Sequence, residues 1–414
     1  MRIVDFFLII LGLLVLFTAL SVVVLSLTWL ERKFLGRLQR RLGPNRTGPM
    51  GLLQPVADAV KLVLKEDILP SSADRAIFWV APLVVLVPSF MLWVTIPAAE
   101  NLVLRNVDMG LFYIIAFSVI TILGLVLAGW GSANKYGILG GLRSSAQLIS
   151  YEIPVIMVVI AVAMMAQSLN LIHITNFQLP GIQSITPETA RLEAGIQNVP
   201  FAVLQPLGMV IFLIAGLAEV GRTPFDIYFA ESEIVGGPFV EYSGAHWSVF
   251  FLAEYMNTFI IAALTALLFL GGWHGPFNPT SPQWLESLVG VVWFLVKTYF
   301  VILVIFWIRG TFPRLRIDQL MAFAWQVVVP LSFANILITG VFMYYGWPWW
   351  SLTLMSLTLS SVIGYLIYKH VTAPARKVAE VYNRRRMIER QPRRQAGRQS
   401  SGPSAGPEEA VSGG

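Results

Sequence analysis

Between Ala218 and Trp247 the chain reads AEVGRTPFDIYFAESEIVGGPFVEYSGAHW, placing Glu219, Asp226, Glu231, Glu233 and Glu241 against a single Arg222. Carboxylates crowded beside a membrane repel one another, which raises some of their pKa values and leaves groups able to exchange protons near neutral pH. Proton transfer is the chemistry this segment points to. Two more ionisable residues fall inside apolar runs: Glu254 in FFLAEYMNTFIIAALTALLF and Lys297 in GVVWFLVKTYFVIL. Charge inside a membrane is costly, so both read as functional unless they neutralise one another across packed helices. Glu152, in SSAQLISYEIP, reads either as an acid favoured by a helix N-terminus or as a further proton-handling group.

A second segment, ERKFLGRLQRRLGPNRTGPMGLLQPVADAVKLVLKED from Glu31 to Asp67, opens on basic residues and a turn punctuated by Gly43, Pro44, Gly48 and Pro49. It then turns amphipathic. Leu53, Val56, Ala57, Val60, Val63 and Leu64 share one helical face, and Gln54, Asp58, Lys61 and Lys65 share the other. At about 14 residues this helix is too short to span a bilayer. An interfacial anchor with lysines at lipid headgroups and a ligand-facing helix are both compatible with the pattern.

The elements that must position these groups are membrane spans. The 414 residues are 56% hydrophobic and only 13% charged, with a mean hydropathy of +0.70, far from soluble-domain composition. Apolar runs near 6–30, 77–97, 111–130, 152–168, 203–219, 249–270, 289–308, 321–345 and 349–369 predict an all-α integral membrane protein of about nine transmembrane helices. The first run is too long for a signal peptide and ends in Glu31-Arg32-Lys33, so it is expected to remain as an anchor. Alternating loop assignment puts 25 of 29 Lys+Arg on one side, which predicts an outside N-terminus and a cytoplasmic C-terminus. The acids follow the same side, 16 of 23, an asymmetry that topology rules do not require and that ion pairing or a functional site must explain. With no cysteine there is no disulfide and no cysteine-ligated iron–sulfur cluster. The four histidines fall in loops on opposite sides, His173 and His274 on one and His246 and His370 on the other, which predicts no haem and no redox centre in this chain.

Four blocks in this order resemble the H subunit of respiratory NADH:quinone oxidoreductase, complex I: the Glu31–Asp67 segment, SSAQLISYEIP, AEVGRTPFDIYFAESEIVGGPFVEYSG followed by FFLAEY, and RGTFPRLRIDQLMAFAWQ from Arg309. The resemblance implies a multi-pass subunit of a proton-translocating enzyme in the bacterial plasma membrane. Quinone is its substrate, and the iron–sulfur clusters and FMN lie in partner subunits. The partners it implies are hydrophilic-arm subunits, antiporter-like membrane subunits and lipid. By the same resemblance Glu31, Arg32, Arg37, Arg46, Gln54, Asp58, Lys61, Lys65, Arg222 and Phe225 frame the quinone chamber. Glu219, Asp226, Glu231, Glu233, Glu241, Glu152 and Glu254 look like the path that couples quinone chemistry to proton movement. The chain departs from the family pattern at Phe229, where an acid is usual, and at Gly221, where a polar residue is usual.

The resemblance spans residues 1–345. An additional apolar helix is predicted at 346–369, and residues 370–414 read as a basic, disordered cytoplasmic tail. Two alternatives share part of these features: the membrane subunit of an energy-converting hydrogenase, and a free-standing ion transporter using Glu254, Lys297 and the acidic segment. The complete first segment argues for the quinone branch over the hydrogenase. No inverted repeat supports the transporter.

Overall fold

A computed structural model of the chain describes residues 3–178, 199–227, 231–275, 283–347, 350–362 and 364–365. Phe229, His370 and the tail from 371 lie outside the described residues. Those up to Ser356 form one compact unit, and the few beyond it belong to a second.

Among the described residues every element is a helix, apart from one isolated bridge between Ala99 and Leu102. In chain order they are α1 (Ile3–Leu38), α2 (Gln54–Leu64), α3 (Arg75–Met91, prolonged by a 3-10 turn to Val94), α4 (Gly110–Gly131), α5 (Lys135–Ala166) and α6 (Leu171–Phe177). They continue with α7 (Pro206–Glu219), α8 (Gly244–Phe269), α9 (Gln283–Thr311), α10 (Ile317–Tyr345) and α11 (Trp350–Val362). Each of the nine predicted apolar runs carries helix among the described residues. Seven are long and apolar enough to cross a membrane, and α7 and α11 are shorter.

Three boundaries differ from the sequence reading. The first helix, α1, has 36 residues, about 54 Å at roughly 1.5 Å per residue, so it outruns the roughly 30 Å of hydrocarbon. It carries Glu31, Arg32 and Lys33 on its own last turns rather than in a loop. The helix α5 starts at Lys135, capped by the Asn134 side chain on the Tyr136 amide at 3.0 Å, and passes through Pro154 without ending. Glu152 is therefore in mid-helix, and a macrodipole at the helix start does not account for it. The run near 203–219 breaks at Gln205, where φ −126 and ψ 64 leave the helical region, and α7 restarts at Pro206 with 14 residues, about 21 Å in length.

The helix α8 is the packing centre. Ala262, Ala263, Ala266, Leu267, Leu268 and Phe269 are each 0% exposed, and α1, α2, α3, α6, α7 and α9 all pack on α8. In lipid the hydrophobic effect between helices is weak, so close packing of small residues supplies cohesion. Gly124 of α4 does this against α3, because a Cβ there would sit 3.0 Å from the Val85 backbone nitrogen and closer still to the Val85 side chain.

Gly124→Leu is therefore expected to lower the thermal unfolding midpoint in detergent by the equivalent of about 1–3 kcal/mol of overpacking. Gly12→Leu, at a position with nothing within 4 Å, is expected to leave that midpoint unchanged.

Candidate functional site

The centre of the site is one guanidinium. The turn after α7 carries Arg222 inward to 4% exposure, where Nη1 lies 3.6 Å from Glu31 Oε2 and Nη2 lies 3.2 Å from Glu254 Oε1. Its plane sits over the Tyr255 ring at 4.3 Å, and the Tyr255 hydroxyl donates to Glu31 Oε2 at 2.7 Å. Arg309, at the end of α9, pairs with the other Glu31 oxygen. Two acids and two guanidiniums from α1, the post-α7 turn, α8 and α9 thus neutralise one another. Arginine suits this place because its charge survives burial and its fork reaches two acceptors at once. Removing one partner of such a buried pair costs about 3–5 kcal/mol, since it strands the other charge.

Beside this network lies a cavity of about 350 Å³. Arg222, Asp226, Glu254, Tyr255, Arg309 and Arg314 supply polar groups to its wall, and Phe239, Trp247, Phe250 and Phe251 supply aromatic faces. Arg314 donates to Asp226 Oδ2 at 2.8 Å. Aromatic walls with a few convergent guanidiniums suit a flat ligand bearing carbonyl oxygens. Glu254 also lines a second cavity of about 60 Å³, together with Ser118, Thr121, Glu219 and Asn257. Ser118 Oγ donates to Glu152 Oε1 at 3.1 Å, so Glu152 meets the wall of the smaller cavity through Ser118, while Glu254 lines both cavities.

The helix α2 is turned against the usual soluble arrangement. Its polar side faces α1, where Asp58 pairs with Arg32, accepts from Gln54 Nε2 at 3.1 Å and has Lys61 at 3.9 Å. Its apolar side is left open: Val56 is 42% exposed, Leu64 is 80% exposed, and Val60 and Val63 fall between them. An interfacial helix in lipid requires such a face. Burial alone would push the Asp58 carboxyl up, but the hydrogen bonds from Arg32 and Gln54 and the nearby positive charges hold it below its ordinary 3.8, the charged form being the one they favour.

Not every predicted site residue converges here. Arg37, Arg46 and Lys65 are exposed at the surface of the α1–α2 region. Phe225 packs against Tyr151 at 5.5 Å and Phe323 at 6.4 Å, in the core rather than on the cavity wall. Glu233 pairs with Arg143 at 3.0 Å, and Glu241 accepts from Asn134 Nδ2 at 2.6 Å. The excess of acid over base in residues 218–247 is therefore local to the sequence: Arg143 and Arg314 arrive from other segments. Glu231 opens a single turn, Glu231–Ile234, and its side chain is outside the description. Glu254 and Lys297 do not neutralise one another. Lys297 instead donates to the carbonyls of Leu270 at 2.6 Å and His274 at 2.5 Å, closing the C-terminal end of α8. His173 and His246 are on helices α6 and α8, not in loops. Sequence reasoning misses Arg309, Arg314 and Tyr255 as site residues, because arginines flanking a span count first toward topology. The available signal is the place of Arg314 beside Pro313 and of Tyr255 beside Glu254 in two of the quoted blocks.

The fold and site define a polytopic, all-helical membrane protein that keeps a neutralised ion network beside a cavity with an aromatic wall. The NADH dehydrogenase family is matched over residues 11–340, and the chain belongs to that family. It is 45% identical over 328 residues to the H subunit of the NADH-quinone oxidoreductase of Dehalococcoides mccartyi, covering 79% of this chain and 85% of the relative. It is 47% identical over 312 residues to the H subunit from Geobacillus kaustophilus, covering 75% of this chain and 86% of the relative. A second H subunit from Syntrophobacter fumaroxidans is 41% identical over 355 residues, covering 84% of this chain and 97% of the relative.

Asp58→Asn is expected to loosen α2 from α1, read as faster amide exchange over residues 54–64. In the unsubstituted chain the Asp58 contribution is expected to be complete well above pH 3.8 and to fade as pH falls through its lower folded value, because the folded state holds the carboxylate form more tightly than the unfolded chain does.

Proposed function

We propose that this chain is the membrane subunit that walls the quinone chamber of a proton-translocating NADH:quinone oxidoreductase and couples quinone reduction to proton transfer. The observation that carries the reading is Glu254. It pairs with Arg222 at the larger cavity and lines the smaller cavity that holds Glu219.

The larger cavity takes the quinone headgroup, with guanidiniums offering donors to its carbonyl oxygens and the aromatic walls excluding water from the ring. Reduction of a quinone to a quinol takes two electrons and two protons. Charge arriving in the cavity competes with Glu31 and Glu254 for the same guanidiniums, so reduction of the ligand and protonation of the carboxylates are linked through Arg222. Glu254, Glu219 and Glu152 then pass a proton change inward, toward antiporter-like partner subunits. Asp226, Glu231, Glu233 and Glu241 form the part of this path outside the spans. Glu31, Arg32, Gln54, Asp58, Lys61, Arg37, Arg46 and Lys65 frame the entrance, and Phe225 supports the chamber from the core. Electrons arrive from FMN and iron–sulfur clusters of hydrophilic partner subunits docked on the basic, cytoplasmic face. The N-terminus is outside, the membrane is the bacterial plasma membrane, residues 1–345 are the working membrane domain, and 346–369 and 370–414 are an appended helix and tail.

In membranes with verified assembly, Glu219→Gln and Glu231→Gln are expected to depress NADH-driven proton pumping by about tenfold or more. Arg46→Ala is expected to depress quinone reduction several-fold. Normal activity in all three variants defeats the assignments, and proton or solute transport by the purified single chain in liposomes overturns the reading as a whole.

A further inference from the structure

The turn that carries Arg222 is fastened by a side chain from another helix. Gln147, on α5, is buried, and its Nε2 donates to the carbonyls of Ala218 and Phe225 at 2.7 Å each. Arg222 lies between those two residues. The backbone closes the same stretch from within, the Arg222 amide donating to the Leu217 carbonyl at 3.2 Å and the Phe225 amide to the Arg222 carbonyl at 2.9 Å. One side-chain nitrogen therefore ties both ends of the turn to α5. One helical turn further on, Tyr151 packs against the Phe225 ring at 5.5 Å, so the same face of α5 meets the turn twice. The neighbours decide which end of the Gln147 amide faces the turn, because carbonyl oxygens accept and cannot donate. Its Oε1 is shut off from solvent and finds no donor among the described residues. A buried acceptor left unpaired is unfavourable. Leucine or methionine would fill this space without it, so packing alone does not account for a glutamine here.

We infer that Gln147 is a positioning residue for the quinone reaction: by holding the Ala218 and Phe225 carbonyls on one nitrogen, it sets the depth and direction at which the Arg222 guanidinium meets Glu31, Glu254 and the larger cavity. The fork must reach Glu31 at 3.6 Å and Glu254 at 3.2 Å while it also lines the cavity. A shift of the turn alters all of these distances together. Misplacement by about 1 Å costs up to roughly 100-fold in rate. Gln147 exchanges no proton and does not line the cavity, so its effect passes through Arg222.

This inference rests on the quinone-chamber reading proposed above, and the experiment separates the two. In membranes carrying the assembled complex, Gln147→Met keeps the length of the side chain and removes both donors. It is expected to lower kcat for reduction of a short-chain quinone by about tenfold and to leave KM within about twofold, the pattern of an interaction realised in the transition state. NADH oxidation by a soluble artificial acceptor reports the amount of assembled complex. Gln147→Glu turns the same position into a titration: a neutral carboxyl donates to one of the two carbonyls, whereas a carboxylate donates to neither. Its rate relative to the unsubstituted complex is expected to match the methionine variant at about pH 8.5 and to recover to within about twofold at about pH 6, reversibly, in the same membranes. A side chain that only filled space would give no such pH-dependent rescue. If Gln147→Met fails to assemble, the pH profile of Gln147→Glu carries the test, and if Gln147→Glu fails, the kcat and KM of Gln147→Met carry it. A normal rate in the methionine variant, a loss confined to KM, a glutamate variant whose relative rate ignores pH, or failure of both variants to assemble overturns the positioning role. Impaired Arg46→Ala beside normal Gln147→Met sinks this inference alone, whereas normal Glu219→Gln, Glu231→Gln and Arg46→Ala sink the reading beneath it.

Discussion

A guanidinium with 4% exposure, shared by Glu31 and Glu254, sets the terms for the rest of this molecule. A charge so deep is tolerable only with partners in place, and the partners of Arg222 come from α1, α8 and, through Glu31, α9. The first helix, α1, is thereby tied to α8 and α9, which lie far from it in the sequence. Tyr255 completes the arrangement by stacking under the guanidinium and donating to Glu31. Because each carboxylate depends on a base that also faces the cavity, the network answers to any charge that enters.

The packing of the spans determines where empty space remains. The helix α8 is buried almost all round in its second half by small and aliphatic side chains, and the cavities lie beside its first half, where Phe250, Glu254 and Asn257 face inward. Phe239, Phe250 and Glu254 are common to the walls of both cavities, so a thin partition separates the chamber from the inner acids. The only ionisable member of that partition, among the described residues, is Glu254. The amphipathic α2 follows the same logic in reverse, giving its polar side to the protein and its apolar side to the membrane, because its solvent is lipid.

Much of the fold is legible from hydropathy alone, since crossing lipid demands long apolar helices with their backbone groups satisfied internally. The nine runs and the short amphipathic helix can be read without coordinates, and so can Glu254 and Glu219 as candidate proton-handling groups. Helix ends are less legible: nothing in SSAQLISYEIP announces that α5 begins at Lys135 and continues through Pro154. The partners of the acids are invisible for a different reason. Arg143 lies 90 residues from Glu233, Arg309 lies 278 residues from Glu31 and Arg314 lies 88 residues from Asp226 along the chain. Arginines at the ends of spans are explained equally well by topology.

The solvent, the apolar runs, the residue types able to handle protons and the family all follow from composition, local periodicity and ordered motifs, which are properties of neighbouring residues. Which acid meets which base, whether Lys297 serves Glu254 or the end of α8, and which groups share a cavity emerge only once the helices have packed. Those are contacts between helices distant in sequence, set by close packing and by the cost of leaving any buried charge alone.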